Sequence, residues 1–251
     1  MFLYSRRDCE PCRRRAMMKK SGETAVFFSS GTYCPVSKEI QEVALIENRL
    51  RSPRATELLE KCFDVFCENG LENTTMKMLS QACGVSNAAL VYYFGNMERI
   101  VIEATAHCMA KVEDDFMALA PKNAPDIERF LRQMPRVTAE MHGAKYRFMY
   151  QVYASPKYRQ SGREFFEGVN RRYGEYARQL SGKLGLPADY IQGMTYSFVR
   201  ACVLYALFED EEYLNLQLNA IRTSLRAVLA AKNNALPAGN GGTAAEKEES
   251  T

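Results

Sequence analysis

The chain has 251 residues, 47% of them hydrophobic and 25% charged, the balance of an ordinary soluble globular protein of one large domain or two small ones. No apolar run reaches the ~20 residues that a bilayer span needs, and the early patch Ala25–Phe28 is too short for a secretory signal, so the chain reads as cytoplasmic, without a membrane partner. Eight cysteines in that setting read as reduced thiols, not as a disulfide framework. The formal charge of +3 is uneven: residues 1–54 carry eleven Lys/Arg against six Asp/Glu, leaving a slightly acidic body.

Residues 1–50 read as an N-terminal extension, disordered in part. Up to about residue 37 there is no sustained period, only Arg13-Arg14-Arg15, Lys19-Lys20 and a Ser-Ser-Gly-Thr run. Met17 and Met18 offer later starts. Ser37 to Leu50 reads as a short helix, broken at Arg51-Ser52-Pro53.

From Arg54 the helical signal is strong. Leu58, Leu59, Cys62, Phe63 and Phe66 share one face, and Asn69-Gly70 ends the helix. Thr74 is placed to cap a second helix over 75–83, Gly84 to make the turn, and Ser86 to cap a third helix over 87–94. Gly95 and Asn96 then stop it, and Asn96 caps a long helix from Met97 to about Leu119. Two short helices joined by a tight turn, with small Ser80 at the crossing and Leu79, Cys83, Val85 and Leu90 sealing the corner, form a helix-turn-helix. Such a motif lays the first residues of its second helix against base edges.

Thr74-Thr75, Leu79, Cys83-Gly84-Val85-Ser86, Leu90, Tyr93-Phe94 and Glu98 resemble the DNA-binding signature of the tetracycline-repressor (TetR) family. The resemblance implies an all-α fold: a three-helix headpiece over 51–100, then a helical ligand-binding and dimerisation domain over 101–232. It implies a homodimeric regulator, cytoplasmic, that binds a double-stranded DNA operator and answers to a small-molecule effector. Ser86, Asn87, Ala88, Ala89, Val91 and Tyr92 match the reading positions of the recognition helix. Tyr93 matches a backbone-contacting tyrosine, and Thr74 and Thr75 a phosphate contact at a helix N-terminus. Met97 stands where the family often has Lys, and Ser80 where Ala is usual. Residues 54–102 hold four basic and six acidic side chains, an odd balance for a surface that meets phosphates. Arg49, Arg51 and Arg54, just ahead of the first helix, are the expected source of the missing contacts.

Beyond Pro121 the periods stay helical, with breaks at 121–125, His142-Gly143, Ser155-Pro156, 182–187 and Glu209-Asp210. In the last two helices Ile191, Met194, Phe198 and Tyr205, then Leu214, Leu218, Ile221 and Leu225, fall on seam-like stripes, the expected dimer interface. The segment between is rich in aromatics and methionine; His142, Met149, Tyr153, Phe166, Tyr173 and Tyr196 are the candidates to line an effector pocket for an apolar or aromatic molecule. Residues 233–251 read as a disordered tail.

Two other readings compete. Cys9 and Cys12 form a C-x₂-C pair, with Cys34 beyond, which is half a zinc or redox-sensing site. Alternatively the acidic headpiece has lost DNA binding and the chain is a helical interaction protein. No phosphate loop, His/carboxylate metal spacing or nucleophile elbow is present, so neither catalysis nor a cofactor is expected.

Overall fold

Capping side chains set where the first helices begin. In the computed structural model, which describes residues 52–235 together with Arg49, α1 spans Pro53–Asn69. Ser52 Oγ accepts from the Ala55 N–H at 3.2 Å, and Pro53 occupies the first turn, where a missing N–H costs nothing. Helix α2 is Met76–Cys83, α3 is Asn87–Phe94 and α4 is Met97–Leu119. Ser86 caps α3 by accepting from Ala89 N–H at 3.1 Å, and Asn96 caps α4 by accepting from Arg99 N–H at 2.9 Å. The α2 cap is Thr75, not Thr74: Thr75 Oγ1 accepts from Met78 N–H, whereas Thr74 is buried and donates to the Gly70 carbonyl at 2.7 Å. Two adjacent hydroxyls compete for one cap, and the residue with extended backbone next to the helix takes it.

The remaining helices are α5 Ala124–Val137, α6 Gly143–Ala154, α7 Arg159–Leu184, α8 Ala188–Phe208 and α9 Glu211–Ala235. Every regular element among the described residues is helical. The break expected at His142-Gly143 is instead a π-helical turn, Thr138–His142, that carries α5 into α6. Pro135 inside α5 removes a donor, and the wider turn follows it. A Cβ on Gly143 would stand 3.3 Å from the Ala206 carbonyl, so α6 and α8 approach closely here. At the α8–α9 corner Glu209 takes a left-handed φ of 57°.

Buried Leu58, Phe63, Phe66, Leu79, Leu90, Phe94 and Ile100 make one core between α1, α2, α3 and α4. That core does not stop at residue 100. It continues into Phe148, Met149 and Val152 of α6, with Phe148 stacked on Phe66 (centroids 5.0 Å, planes 7° apart) and edge-on to Phe63 at 5.5 Å. A second core joins Phe116 of α4 to Phe130, Tyr173, Phe198 and Leu218 of α5, α7, α8 and α9.

Helix α8 is long and apolar enough to cross a bilayer by length and composition. A third of that stretch is buried against the other helices of the body, with Ile191, Phe198, Ala201 and Cys202 among the buried residues. The residues 1–48, 50–51 and 236–251 lie outside the described residues; with them go the expected extension apart from Arg49, the cysteines at 9, 12 and 34, Arg51, and the expected tail from 236 on, while 233–235, expected as tail, continue helix α9.

Gly84 holds φ 65°, ψ 34°, and nothing lies within 4 Å of the position a Cβ would take. The demand there is conformational, not spatial. Gly84→Ala should therefore cost about 1–2 kcal/mol in urea unfolding followed by circular dichroism, and Gly84→Asn clearly less, since Asn tolerates the left-handed region.

Candidate nucleic-acid interface

The turn at Gly84 sets the presentation of α3. Val85 N–H reaches back to the Ser80 carbonyl at 3.0 Å, closing α2, while Ser80 sits buried at the crossing. Leu90 and Phe94 anchor the inner face of α3. The outer face therefore presents Asn87, Ala88, Val91 and Tyr92; Val91 is 46% exposed and Tyr92 54%. Ala89 and Tyr93 are half-buried, and Ser86 and Thr75 lie exposed at the N-termini of α3 and α2. Of the expected DNA-contact residues that are described, Thr74, a phosphate-contact candidate, is the one the fold buries. A polar Asn, a tyrosine and small or branched apolar side chains suit hydrogen bonds to base edges and contact with thymine methyls.

The charges around this face are arranged differently from the residue count. Arg49 lies on the recognition helix itself: its Nη1 donates to the Tyr92 carbonyl at 2.8 Å, and its guanidinium carbon stands 3.8 Å from the Tyr92 ring centroid. A cation at the C-terminal end of a helix is favourable, and its stacking adds about 0.5–1 kcal/mol. Arg54 is not free, because it pairs with Glu57 at 2.6 Å; Glu57 also accepts from Lys61 at 2.8 Å. Bonds from Lys61 and then Arg54 hold the Glu57 carboxyl below its ordinary range. Two headpiece acids are balanced from outside the headpiece: Glu60 by Lys111 at 2.7 Å, and Glu98 by Lys157 at 3.1 Å. Lys77, exposed in the first turn of α2, has no ion-pair partner among the described residues. It was missed as a contact, although its place just after Thr74-Thr75 marks it.

In the body, an apolar cavity of ≈ 80 Å³ lies among Phe116, Ile127, Phe130, Tyr176, Leu180 and Ile191. None of His142, Met149, Tyr153, Phe166, Tyr173 and Tyr196 lines it. Met149 and Tyr153 belong to the core shared with α1, and Phe166 is exposed. Tyr173 is buried and donates to Glu113 at 2.8 Å, with the half-buried ring of Tyr196 beside it. His142 is buried in the π-turn with Nδ1 unpartnered and Nε2 3.7 Å from Asp115; burial lowers its pKa.

The proposed dimer stripes also land elsewhere. Ile191, Phe198, Leu214, Leu218 and Ile221 are buried within the chain, and Met194, Tyr205 and Leu225 are half-buried. Ile191, Met194, Phe198, Ile221 and Leu225 line the cavity. Those stripes face inward, because the strongest apolar period is spent on the chain's own core. The opposite faces carry Gly193, Ser197, Arg200 and Phe208 on α8, and Leu216, Ala220, Thr223 and Ala227 on α9, all exposed. Phe208 is 72% exposed and Leu216 62%.

Residues 58–104 match the family model described as bacterial regulatory proteins, tetR family. The fold resembles a transcriptional regulator of the TetR/AcrR family, with a TM-score of 0.50 and 16% identity over 70% of this chain and 98% of that one. It also resembles a transcriptional regulator from Pseudomonas aeruginosa PAO1, with a TM-score of 0.54 and 12% identity over 78% of this chain and 98% of that one. No curated protein matches.

Burial raises the Glu113 pKa, against the opposing effect of the Tyr173 bond and the nearby Arg172. The folded state thus holds this proton more tightly than the unfolded chain. Its contribution to stability is present below the ordinary glutamate range and is lost as pH rises through the elevated folded value. Glu113→Gln keeps an acceptor for Tyr173 and removes the titration. Thermal unfolding between pH 4 and 8 should show the variant at least as stable as the parent at the upper end, with a flatter pH dependence.

Proposed function

We propose that this chain, which belongs to the tetR family of bacterial regulatory proteins, acts as a homodimeric repressor of transcription that releases its operator when an effector enters the helical body. The observation that carries the reading is the capped α3 with its outward Asn87, Ala88, Val91 and Tyr92, supported from behind by Leu90 and Phe94. Arg49, Thr75 and Lys77 flank that face and would hold phosphates, with Arg54 available once its exposed pair with Glu57 exchanges.

Two such headpieces on one face of DNA need two-fold symmetry and a spacing of one helical turn, about 34 Å. The outward faces of α8 and α9, with small residues at Gly193, Ser197 and Ala220 and apolar Phe208 and Leu216, are the surface we assign to the second copy. A pair of α8–α9 hairpins would then close as a four-helix bundle. Helix α4, 23 residues and so about 34 Å long, links the two ends: Asn96 caps it beside α3, and Phe116 reaches the cavity. A ligand that favours a different seating of α4's far end shifts the population toward headpieces with the wrong spacing.

Selection of binding sites from a random DNA pool with the full chain should enrich two inverted half-sites about one turn apart. Tyr92→Ala should then weaken binding to the selected duplex by about 1–3 kcal/mol in fluorescence anisotropy. A pool that stays random, or enriches single unpaired half-sites for a monomeric protein, would contradict the proposal and favour a helical interaction protein.

A further inference from the structure

Two thiols face each other inside the headpiece. Cys62, in the middle of α1, and Cys83, the last residue of α2, place their sulfurs 3.6 Å apart. Both are buried, in the core that holds Leu58, Leu79 and Leu90.

The two sulfurs are not equivalent. Cys83 Sγ donates to the Leu58 carbonyl at 3.7 Å. With Cys83 committed as that donor, the hydrogen bond it shares with Cys62 carries the Cys62 proton. This bond, with Lys61 and Arg54 nearby, holds the Cys83 pKa below the usual thiol value, against burial and the charge of Glu57. Burial pushes Cys67 and Cys108 up to about 12, the Cys83 bond and burial raise Cys62, and burial raises Cys202. The thiolate is the reactive form, and among the described cysteines Cys83 reaches it most readily. Cys83 also lies beside solvent: Gln81, Ala82 and Gly84 are exposed, and nothing stands within 4 Å of a Cβ position at Gly84. Helix α2 has eight residues and little stability of its own, so its end is the natural point of opening.

We propose that Cys62 and Cys83 form a reversible dithiol–disulfide site through which hydroperoxides act on the headpiece. The Cys83 thiolate attacks a peroxide oxygen. The O–O bond breaks, and the leaving hydroxide takes the proton that Cys83 had released, giving water and a Cys83 sulfenic acid. Cys62 then attacks that sulfur. The S–S bond forms, the S–O bond breaks, and the second hydroxide leaves as water with the Cys62 proton. Two thiols lose two electrons in all, and one hydrogen peroxide is reduced to two waters. Closure from 3.6 Å to a bond of about 2.05 Å draws the sulfurs together by about 1.5 Å. The link falls one residue before Gly84, so the movement passes into the turn that presents α3. The site stands on the thiol geometry; its effect on DNA rests on the regulator reading above.

Peptide mapping of the unaltered full chain tests it. After reduction, exposure to hydrogen peroxide, blocking with iodoacetamide and digestion, fragmentation mass spectrometry should find Cys62 joined to Cys83, and dithiothreitol should reverse the link. Cys67→Ser should leave it in place. On a duplex selected from a random pool, oxidation should weaken binding at least about tenfold in fluorescence anisotropy, within the range of ordinary coupling between sites. Dithiothreitol should restore it, and the double variant Cys62→Ala, Cys83→Ala should bind equally with and without peroxide. Cysteines oxidised singly without pairing, a link from Cys83 to any other cysteine, or a Cys62–Cys83 link with unchanged DNA affinity overturns the inference. A Cys62–Cys83 link in a chain that enriches no duplex supports the site and counts against the regulator reading, so the two failures are distinguishable.

Discussion

Phe148 lies between Phe63 and Phe66, stacked on one and edge-on to the other. It comes from α6, in the helical body of the chain, and it fills a core otherwise built by α1, α2, α3 and α4. Aromatic pairs of this geometry are worth about 0.5–1.5 kcal/mol each beyond the area they bury. Their position matters more than their size. A headpiece of about 50 residues buries only a marginal core of its own, and here it draws further apolar volume from the body. The orientation of α3 is thereby tied to the orientation of α6, and α4 crosses the same junction without a break. On the proposed reading, this junction allows an event near Pro121 to be felt at Tyr92.

The electrostatics follow the same pattern of borrowing. Counted within its own window the headpiece is acidic, yet Glu60 and Glu98 are matched by Lys111 and Lys157 from beyond it. Arg49 reaches back onto the recognition helix from the segment ahead of α1. The face that would meet phosphates is therefore less repulsive than a count of residues 54–102 indicates.

What could be read without coordinates was what is local. Ser86, Gly84 and Asn96 act within four residues of themselves, so the helix ends they make were legible from residue type and spacing. Thr74 and Thr75 were not separable, because only the backbone decides which hydroxyl caps α2. The stripes in α8 and α9 were real, but a period tells which residues share a face, not what that face meets; these residues meet the chain's own core, and Ile191, Met194, Phe198, Ile221 and Leu225 its cavity. The cavity wall joins residues from α4 to α9, a juxtaposition that no short-range pattern encodes. Tyr176 and Leu180 sit four apart on one face of α7, and that spacing was the available signal. The π-turn at 138–142 was misread as a break at His142-Gly143, because Gly143 is a breaker by type yet is absorbed here inside continuous helix.

Helix α6 completes the headpiece core through Phe148. Hydrogen–deuterium exchange of the α1 amides between residues 58 and 66, compared between the parent and Phe148→Ala, tests it most directly. Deleting a buried Phe side chain costs about 3–5 kcal/mol, which predicts that these amides exchange at least about a hundredfold faster in the variant. Protection of α1 that is unchanged, with loss confined to α6, would show that the headpiece stands on its own core and would contradict the account.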